Sequence, residues 1–558
     1  MSERIVVAVA WPYANGSIHL GHLAGANLPA DIFAKYHRLK GNHVLMVSGS
    51  DQHGTPITLR AEQEGVNPEV IVDRYHQEFL DCWKGMGIDF DIFTTTSTIN
   101  HKAVVQDIFL KLYNSGYIYK GVMKSPYCNE CKRFLADRYV KGTCPHCRYE
   151  DARGDQCDQC GRTLDPKELI ALSCRISKTT PVILDTEHFF LKLSAFQDKL
   201  SKWVNQQKHW RPNVLNFTKS YLKLGLKDRA ITRDLEWGIP IPLDGYKNKT
   251  IYVWFEAVIG YLSATKEWAE NTGVEETWED FWLNNCKTYY FMGKDNIPFH
   301  TIIWPAMLMG YGNLNLPYDI PANEFLNLQG SQLSTSRNWA VWVLDYLKRY
   351  NPDPLRYVLA ATMPERGDSD FSWDEYVRRN NDELLATYGN LVHRVLTLTY
   401  KHYDKKIPDV GKLDKVDNGL LDQAKHLLEE MSENLEHCNF KKALSTAMAM
   451  AQEANRYLEI KSPWKTVKEN RTMAATTLWV SLNIINCLKV ALYPYLPFTS
   501  KKIHKLLGFE GNLEDQGWYW DSSMFKPGQT LPVPEPLFVK LDEGIIQTEI
   551  ENMKLEGI

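Results

Sequence analysis

The 558-residue sequence lacks long apolar runs, a dominant charge sign and internal repeats. Without a run of roughly 18 or more apolar residues, a membrane-spanning helix is not predicted. Lys and Arg total 64 against 68 Asp and Glu, a formal net charge of −4. This balance excludes a generally basic, DNA-coating protein but leaves room for a local basic face. The ordinary composition also excludes collagen-like, disordered and disulfide-scaffold classes.

A secretory signal is also missing. The apolar run Ile5–Trp11 is short, has no small-residue cleavage site and leads into a loop rich in Gly and His, so we interpret it as a buried strand. In this context clustered cysteines indicate thiolate metal binding rather than disulfides. We therefore expect a cytoplasmic protein that interacts with neither membranes nor DNA.

The sequence shows two different secondary-structure patterns along the chain. The length predicts about three or four domains. Up to about residue 116, and again from about 250, apolar runs alternate with helical patterns, which is typical of an α/β unit. The predicted strands are Ile5–Trp11, His43–Ser48, Thr250–Phe255 and Thr288–Met292, with a helix over Leu23–Lys40. Beyond about 375 the pattern predicts an antiparallel helix bundle, with helices over Asp374–Tyr400, Asn418–Leu435, Lys441–Leu458 and Met473–Leu492.

Each predicted α/β strand runs directly into a polar cluster. In an open parallel sheet, ligands bind outside the carboxyl ends of the strands, so these clusters predict one shared site. The clusters are residues 12–22, 49–54, 255–261 and 293–300.

The first cluster contains His19-Leu20-Gly21-His22 at the change from strand to helix. Gly21 would let a ligand approach the backbone, and a helix N-terminus favours phosphate. The two imidazoles could donate hydrogen bonds to phosphate oxygens as charge develops. A His-x-x-His metal pair is the alternative, but acidic ligands are not nearby, so we favour phosphate binding.

Six of the eleven cysteines form three Cys-x-x-Cys pairs. Cys144, Cys147, Cys157 and Cys160 supply four thiolates in two short knuckles, a spacing that predicts a closed, structural zinc site. Cys82, Cys286, Cys438 and Cys487 are isolated and are predicted core residues.

The motifs together resemble the methionyl branch of the class I aminoacyl-tRNA synthetases, over essentially the whole chain. The resemblance is carried by His19–His22, by Pro12–Gly16, by Ser50–Gly54, by Tyr252–Trp254 and by Gly293–His300. It implies a Rossmann-type parallel-sheet catalytic domain with a zinc-knuckle insertion, followed by an α-helical bundle domain. It also implies activation of methionine with ATP and Mg²⁺ to methionyl adenylate, then transfer to the terminal adenosine of tRNA(Met).

The resemblance also implies residue roles. His19, Gly21, His22, Gly293 and Lys294 would bind ATP, with His19, His22 and Lys294 acting in catalysis. Asp51 would pair with the methionine ammonium and be oriented by Arg233. The side-chain pocket would be formed by Trp11, Tyr13, Trp254, Val258, Tyr261 and His300. Aromatic edges suit a thioether, and Tyr261 could also donate a hydrogen bond to sulfur.

Two pocket positions depart from the family pattern. Trp11 stands where many members have Leu, and Val258 where some have Pro. We expect these changes to alter the size of the pocket rather than its identity.

The second family signature, Lys-Met-Ser-Lys-Ser, is only partly present. Gln332 and Thr335 replace its two lysines in the segment 330–337. We favour Arg337 as the substitute catalytic cation. Alternatively, Lys294 and the histidines suffice while the hydroxyls of Ser334, Thr335 and Ser336 bind phosphate, or the activity is impaired.

The remaining clustered cysteines allow two interpretations. By analogy with relatives that hold two zinc ions, Cys128, Cys131 and Cys174 would form a second site, but Ser177 stands at its fourth position. Three thiolates could still hold zinc with another donor, or the cluster could be a relic.

In the helical domain, the resemblance assigns anticodon binding to Asn390, Arg394, Pro463 and Trp464. Asn390 and Arg394 are four residues apart and share a helix face. Trp464 could stack on an unpaired base.

The expected domains are the catalytic domain over 1–116 and 190–325, the insertion over 117–189, a signature-loop region over 326–380, the anticodon-binding domain over 381–535 and a tail over 536–558. The end at Ile558 predicts no appended oligomerisation domain and hence a monomer.

Three alternative functions remain open: another class I synthetase such as the cysteinyl enzyme, a plain nucleotidyltransferase, and a non-catalytic tRNA-binding paralogue. His19, His22, Asp51 and Lys294 favour catalysis over the paralogue.

Overall fold

The fold is given by a computed structural model of the chain. The structure describes residues 2–154, 157, 159–160, 164, 166–273, 275–284, 286–333, 339–526 and 528–555. The strands are β1 (Arg4–Val9), β2 (His43–Ser50), β3 (Ile92–Thr95), β4 (Ile118–Cys128), β5 (Arg133–Phe134), β6 (Val140–Thr143), β7 (Ala152–Arg153), β8 (Ile170–Cys174), β9 (Val182–Leu191), β10 (Arg229–Ala230), β11 (Thr232–Arg233), β12 (Thr250–Ile251), β13 (Cys286–Phe291), β14 (Leu326–Leu328), β15 (Ser331–Gln332) and β16 (Ser369–Phe371).

Helices make up most of the remaining regular structure. They are α1 (Leu20–His22), α2 (Leu28–Leu39), α3 (Thr55–Glu64), α4 (Pro68–Met86), α5 (Ile99–Asn114), α6 (Gln197–Gln206), α7 (Pro212–Lys223), α8 (Val253–Glu256), α9 (Gly260–Thr272), α10 (Trp278–Trp282), α11 (Trp304–Tyr311), α12 (Val343–Arg349), α13 (Pro352–Ala361), α14 (Trp373–Arg378), α15 (Asn390–His402), α16 (Lys415–Glu436), α17 (Phe440–Lys461), α18 (Pro463–Glu469), α19 (Arg471–Leu492), α20 (Pro497–Leu506) and α21 (Gly544–Leu555).

The centre of the catalytic part is a parallel sheet in the order β13-β1-β2-β3. β1 pairs in register with both neighbours, and Arg4 lies opposite Cys286 on one side and His43 on the other. Its residues Ile5 to Val9 are fully buried, as a run of apolar residues covered on both faces should be. The strands predicted near residues 5, 43 and 288 are therefore confirmed, and their carboxyl ends share one edge.

The predicted strand at Thr250–Phe255 is wrong in length and in direction. Only Thr250 and Ile251 are in a strand, and they pair antiparallel with β11 rather than with the parallel sheet. Val253 begins α8, and Tyr252 is its N-cap. A short apolar run does not distinguish a buried strand from a buried helix, which is why the pattern misled.

The predicted helix Leu23–Lys40 is confirmed with a modification at its start. α1 passes into a π-helical turn over Leu23–Asn27, and α2 then runs to Leu39. The insertion is built on β4 and β9, which pair antiparallel from Ile118 opposite Leu191. A small sheet in the order β7-β6-β8 extends beyond them.

The C-terminal part is the predicted helix bundle. α14, a π-helical segment over Arg379–Gly389 and α15 replace one predicted helix, and α16, α17 and α19 match the other three. Among the residues that the structure describes, α19 is the one helix long and apolar enough to cross a membrane. Its most apolar segment is wholly buried inside the protein.

Candidate active site

The polar segments that follow β1, β2 and β13, together with α8 and α9, surround one cavity of about 370 Å³ at the carboxyl edge of the sheet. Eleven of the predicted site residues line it. They are Trp11, Tyr13, His19, Gly21, His22, Asp51, Trp254, Val258, Tyr261, Gly293 and His300. The expectation that separate clusters converge is therefore correct, although α8 reaches the edge as a helix.

The two signature histidines cap the first helical turn. Nδ1 of His19 accepts the backbone N–H of Gly21 at 3.0 Å, and Nδ1 of His22 accepts the backbone N–H of His19 at 3.2 Å. In both neutral rings the proton is therefore on Nε2. Burial, and then the neighbouring His22, hold the pKa of His19 well below its usual range, and burial lowers the pKa of His22 to about 4. Two neutral N–H donors thus line the cavity at neutral pH.

Gly21 lies between the His19 ring and the loop after β15. A Cβ at this position would be 2.8 Å from Cε1 of His19 and 3.0 Å from a methyl carbon of Leu333. Contacts this short require one of the neighbours to move. Only glycine therefore fits against the ring without disturbing the cap.

Asp51 is buried at the end of β2 and forms a parallel bridge with Tyr13. Burial, and then the charge of Glu256, raise the pKa of Asp51 well above its usual range. Arg233 does not line the cavity; its guanidinium lies 3.8 Å above the ring centre of Tyr252 and donates to the carbonyls of Ala230 and Thr232. The predicted orientation of Asp51 by Arg233 remains a prediction.

Aromatic rings form the side-chain pocket. The Trp254 ring stacks on Phe299 with centroids 4.3 Å apart, and Tyr13 meets Trp254 edge-on at 6.0 Å. Phe299 is not among the predicted site residues, although it lies within the motif Gly293–His300.

Tyr261 and His300 are hydrogen-bonded to each other. The Tyr261 hydroxyl lies 2.7 Å from Nε2 of His300, and Nδ1 of His300 lies 3.0 Å from the carbonyl of Asn296. A carbonyl accepts only, so Nδ1 carries the ring proton, and burial lowers the pKa of His300 to about 4. The Tyr261 hydroxyl therefore donates to His300 in this arrangement. The expected donation from Tyr261 to a methionine sulfur stays a prediction.

Trp11 and Val258 line the cavity as predicted. The Trp11 indole packs against the backbone of Gly49 and of Gly260, where any Cβ would clash with it. Its buried Nε1 has no hydrogen-bond partner among the described residues. The large side chain at position 11 is thus accommodated by two glycines.

Lys294 is held by two carboxylates at the rim. Its Nζ lies 2.8 Å from Glu324 and 2.7 Å from Asp368, and 4.2 Å above the Phe325 ring. Burial alone would lower the pKa of Lys294, but hydrogen bonds from its ammonium to Asp368 and Glu324 raise it. Glu324, which also lines the cavity, was missed because a single acidic residue in a loop carries no pattern.

The incomplete second signature lies partly outside the described residues. Gln332 ends β15, and Gln332 and Leu333 line the cavity. Ser334, Thr335, Ser336 and Arg337 fall outside the described ranges, so their predicted roles remain predictions.

The predicted cysteine knuckles come together in space. Cys144, Cys147, Cys157 and Cys160 have all their sulfur atoms within 4.8 Å of one another, and so do Cys128, Cys131 and Cys174. Sulfurs on a tetrahedral zinc lie about 3.8 Å apart, given Zn–S bonds of about 2.3 Å. The Cys144–Cys160 distance is 3.9 Å and the Cys131–Cys174 distance is 3.8 Å. Both clusters are compatible with zinc binding.

The predicted anticodon residues lie near one another on the helix bundle. The Arg394 guanidinium lies 5.6 Å from the Trp464 ring centre and pairs with Glu459 at 2.9 Å. Asn390 is exposed one turn before Arg394, and Pro463, which begins α18, is buried. This surface offers an exposed amide, a guanidinium and an indole.

The parallel sheet, the His-x-Gly-His turn at its carboxyl edge and the helix bundle that follows define a class I aminoacyl-tRNA synthetase. The family model for "tRNA synthetases class I (M)" matches residues 5–396, and that for "Anticodon binding domain of methionyl tRNA ligase" matches residues 407–553. The methionine–tRNA ligase of Dehalococcoides mccartyi is 56% identical over 555 residues, covering 100% of both chains. That of Thermomicrobium roseum is 52% identical over 579 residues, covering 99% of each.

A solved structure agrees with the sequence relatives. Mycobacterium tuberculosis methionyl-tRNA synthetase in complex with methionyl-adenylate superposes with a TM-score of 0.80 at 25% identity, covering 96% of this chain and 100% of that one. The chain belongs to the methionyl-tRNA synthetase family. It is a methionine–tRNA ligase, an ATP-dependent enzyme with a Rossmann-like catalytic domain and a helical anticodon-binding domain.

Proposed function

We propose that this cavity activates methionine with ATP. The carboxylate of methionine attacks the α-phosphorus, pyrophosphate leaves, and methionyl adenylate remains; the terminal ribose hydroxyl of tRNA(Met) then attacks its carbonyl carbon and releases AMP. ATP enters this reaction as its Mg²⁺ complex. The single observation that carries the proposal is the pair of neutral Nε2–H donors of His19 and His22 beside a buried aromatic pocket.

The ATP end of the cavity is assigned to His19, Gly21, His22, Gly293 and Lys294. Donors placed in advance at a phosphate stabilise the charge that develops as pyrophosphate leaves. Lys294 must exchange a carboxylate partner for phosphate oxygens, because Glu324 and Asp368 both contact it. Ser334, Thr335, Ser336 and Arg337 complete this end in our proposal, with Arg337 as the cation in place of the signature lysines.

The methionine end is assigned to Asp51 and the rings around it. Asp51 pairs with the ammonium group, oriented by Arg233. Trp11, Tyr13, Trp254, Val258, Tyr261 and His300 surround the side chain, and thioether sulfur packs favourably at aromatic edges. The supporting observation is that all of these except Arg233 line the cavity.

The remaining assignments concern metal, tRNA and assembly. Zinc held by Cys144, Cys147, Cys157 and Cys160 would act structurally, fixing the tip of the insertion. Asn390, Arg394, Pro463 and Trp464 would contact the anticodon. We propose a cytoplasmic monomer with a catalytic domain over 1–116 and 190–325, an insertion over 117–189, a signature-loop region over 326–380, an anticodon-binding domain over 381–535 and a tail over 536–558.

His19→Asn tests the ATP assignment. Asparagine is a favoured N-cap residue, so its side-chain oxygen can still accept the Gly21 N–H while the imidazole donor is lost. We expect methionine-dependent pyrophosphate exchange to fall about 100-fold in kcat, the usual cost of removing one transition-state donor, with KM for methionine unchanged. His426→Asn, at an exposed position on α16, is the control. Exchange near the wild-type rate in His19→Asn would contradict the assignment.

A further inference from the structure

A buried acid–imidazole pair lies behind the proposed methionine site. Glu256, at the end of α8, is fully buried. Its two carboxylate oxygens lie 3.0 and 3.1 Å from Nδ1 of His53. A carboxylate taken out of water is costly unless it is paired. His53 is the group that donates to it.

A second imidazole on the other side is not an equivalent partner. Nε2 of His101 is 3.9 Å from Glu256, too far for a hydrogen bond, and has no partner among the described residues. Nδ1 of His101 lies 2.7 Å from the Ser263 hydroxyl. Burial, and then the charge of His53, lower the pKa of His101 to about 3. His101 is therefore neutral at neutral pH, and Glu256 acts on the site through His53.

His53 connects Glu256 to Asp51. The backbone N–H of His53 donates to Oδ1 of Asp51 at 3.4 Å. Gln52, between them, is fixed at both ends: its N–H donates to the Thr96 hydroxyl at 2.9 Å, and its carbonyl accepts from Nε1 of Trp237 at 2.7 Å. The loop that carries Asp51 is thus anchored by side chains from elsewhere, and Glu256 is the one carboxylate among these anchors.

We propose that Glu256 is a positioning residue for amino-acid activation, acting through His53 to hold the Asp51 carboxylate where the ammonium group of the amino acid binds. The inference rests on the proposed role of Asp51. Neither His53 nor Glu256 lines the main cavity; both line a smaller cavity that shares the walls Tyr13 and Trp254 with it. Glu256 therefore acts at one remove from the substrate.

The proposal predicts how kcat/KM for methionine depends on pH. Asp51 pairs with an ammonium group only when ionised, so kcat/KM for methionine falls as pH drops through the pKa of Asp51. Burial and the Glu256 charge raise that pKa. The titratable and charged groups around Asp51 and Glu256 include His53, His101, Tyr13, Tyr261 and Arg138. Glu256→Gln removes the charge, so the acid limb should move to lower pH. Its amide oxygen still accepts from His53, so KM should change little.

Glu256→Leu separates geometry from charge. It removes the acceptor of His53 as well as the charge, so the loop loses its anchor. We expect KM for methionine to rise by about tenfold or more, equivalent to about 1.4 kcal/mol, while KM for ATP is unchanged. Glu267→Gln is the control, because Glu267 is a half-buried carboxylate that accepts from Thr94 at 2.9 Å and lies outside the pair.

The measurement is methionine-dependent pyrophosphate exchange by the full chain as a function of pH, with the thermal midpoint of each variant. An acid limb that stays in place in Glu256→Gln, or an unchanged methionine KM in Glu256→Leu, overturns the inference. Asp51→Asn is measured in parallel. If Asp51→Asn leaves KM for methionine unchanged, the proposed function of Asp51 fails, whatever the Glu256 variants do. Since Glu256→Gln is isosteric, the pH test stands even if Glu256→Leu folds poorly.

Discussion

At the residue scale, the indole of Trp11 is coupled to the glycines beneath it. A Cβ at Gly260 would lie 2.6 Å from Cζ2 of Trp11, and one at Gly49 would clash with the same ring. Interiors are packed densely enough that such an overlap forces a side chain or the backbone to shift. A Cβ at Gly49 would also lie 2.4 Å from the carbonyl oxygen of Thr94, whereas the nearest atoms at Gly260 all belong to Trp11, so the size of residue 11 and the absence of a side chain at 260 are one structural feature.

This coupling predicts a double-mutant cycle. Gly260→Ala should destabilise the protein by about 1–3 kcal/mol, because the new methyl group meets the indole. In a Trp11→Leu background the ring is gone, and the same substitution should cost little. Denaturant unfolding of the four proteins measures the difference. An equal cost of Gly260→Ala in both backgrounds would show that Trp11 does not restrict position 260.

The residues of the cavity were largely predictable from the sequence, but their hydrogen bonds were not. Motifs place His19 and Asp51 at one edge because the ends of β1 and β2 converge there, whereas Tyr261 reaches the same cavity from α9. The donation from Tyr261 to His300, however, depends on the carbonyl of Asn296 fixing the imidazole tautomer. Every residue has a backbone carbonyl, so the sequence does not indicate which carbonyl accepts from His300. The pairing of Lys294 with Asp368 likewise joins residues 74 positions apart.

At the element scale, long periodic patterns were reliable and short apolar runs were not. α16, α17 and α19 each span 22 residues and lie where the patterns predict them; α16 and α17 alternate buried and exposed positions, whereas α19 is buried on all sides from Ala474 to Leu492. β12 is a two-residue strand followed at once by α8, and its direction is set by pairing with β11. Strand pairing joins distant segments, so local periodicity cannot determine it.

The knuckle at the tip of the insertion predicts a metal-dependent element. Cys144→Ser with Cys147→Ser should remove one zinc ion per chain and lower the thermal midpoint, because a closed four-thiolate site contributes its binding energy to folding. Elemental analysis of the purified variant measures the metal. Cys286→Ser, outside both clusters, should leave the zinc content unchanged. An unaltered zinc content in the double variant would rule out the site.

The second cluster can be examined with the same measurement. Hydrogen bonds to its thiolate, with Ser177 first, lower the pKa of Cys128 to about 6 although desolvation opposes this. The Ser177 hydroxyl lies 3.2 Å from the Cys128 sulfur. Its oxygen is therefore close enough to serve as a fourth metal ligand beside the three sulfurs. A second zinc ion that is lost in Cys131→Ser would assign it to this cluster. A single zinc ion retained in Cys131→Ser would leave the cluster without metal.

At the scale of the whole molecule, the small net charge conceals local specialisation. The net charge of −4 is a sum over very different regions. Some charges form buried ion pairs between elements, such as Arg356 with Asp31, and others lie on the bundle surface, such as Arg394 beside Trp464. Nucleic-acid recognition needs positive charge only where phosphates lie. A nearly neutral chain is therefore compatible with a tRNA ligase.

The catalytic domain and the helix bundle are joined through one buried arginine that lies between them in the sequence. Arg356 on α13 and Asp31 on α2 are both fully buried, and their charged atoms lie 2.7 Å apart. The guanidinium also donates to the carbonyls of Met86, Pro494 and Tyr495. One side chain thus ties α2 and α4 of the catalytic part to the chain that leaves α19.

Arg356→Met should loosen this joint. The substitution removes the donor of three backbone carbonyls. It also removes one of the two cations paired with Asp31, so that Lys35 alone remains. We therefore expect the free energy of unfolding to fall by about 3–5 kcal/mol. The unfolding curve in urea should also split into two transitions, because the two parts no longer stabilise each other. Arg378→Met is the matched control: its guanidinium pairs with Glu375 at the surface, where such pairs contribute at most about 1 kcal/mol. If Arg356→Met unfolds in a single transition with a loss of stability no larger than that of Arg378→Met, Arg356 is not what couples the catalytic domain to the bundle.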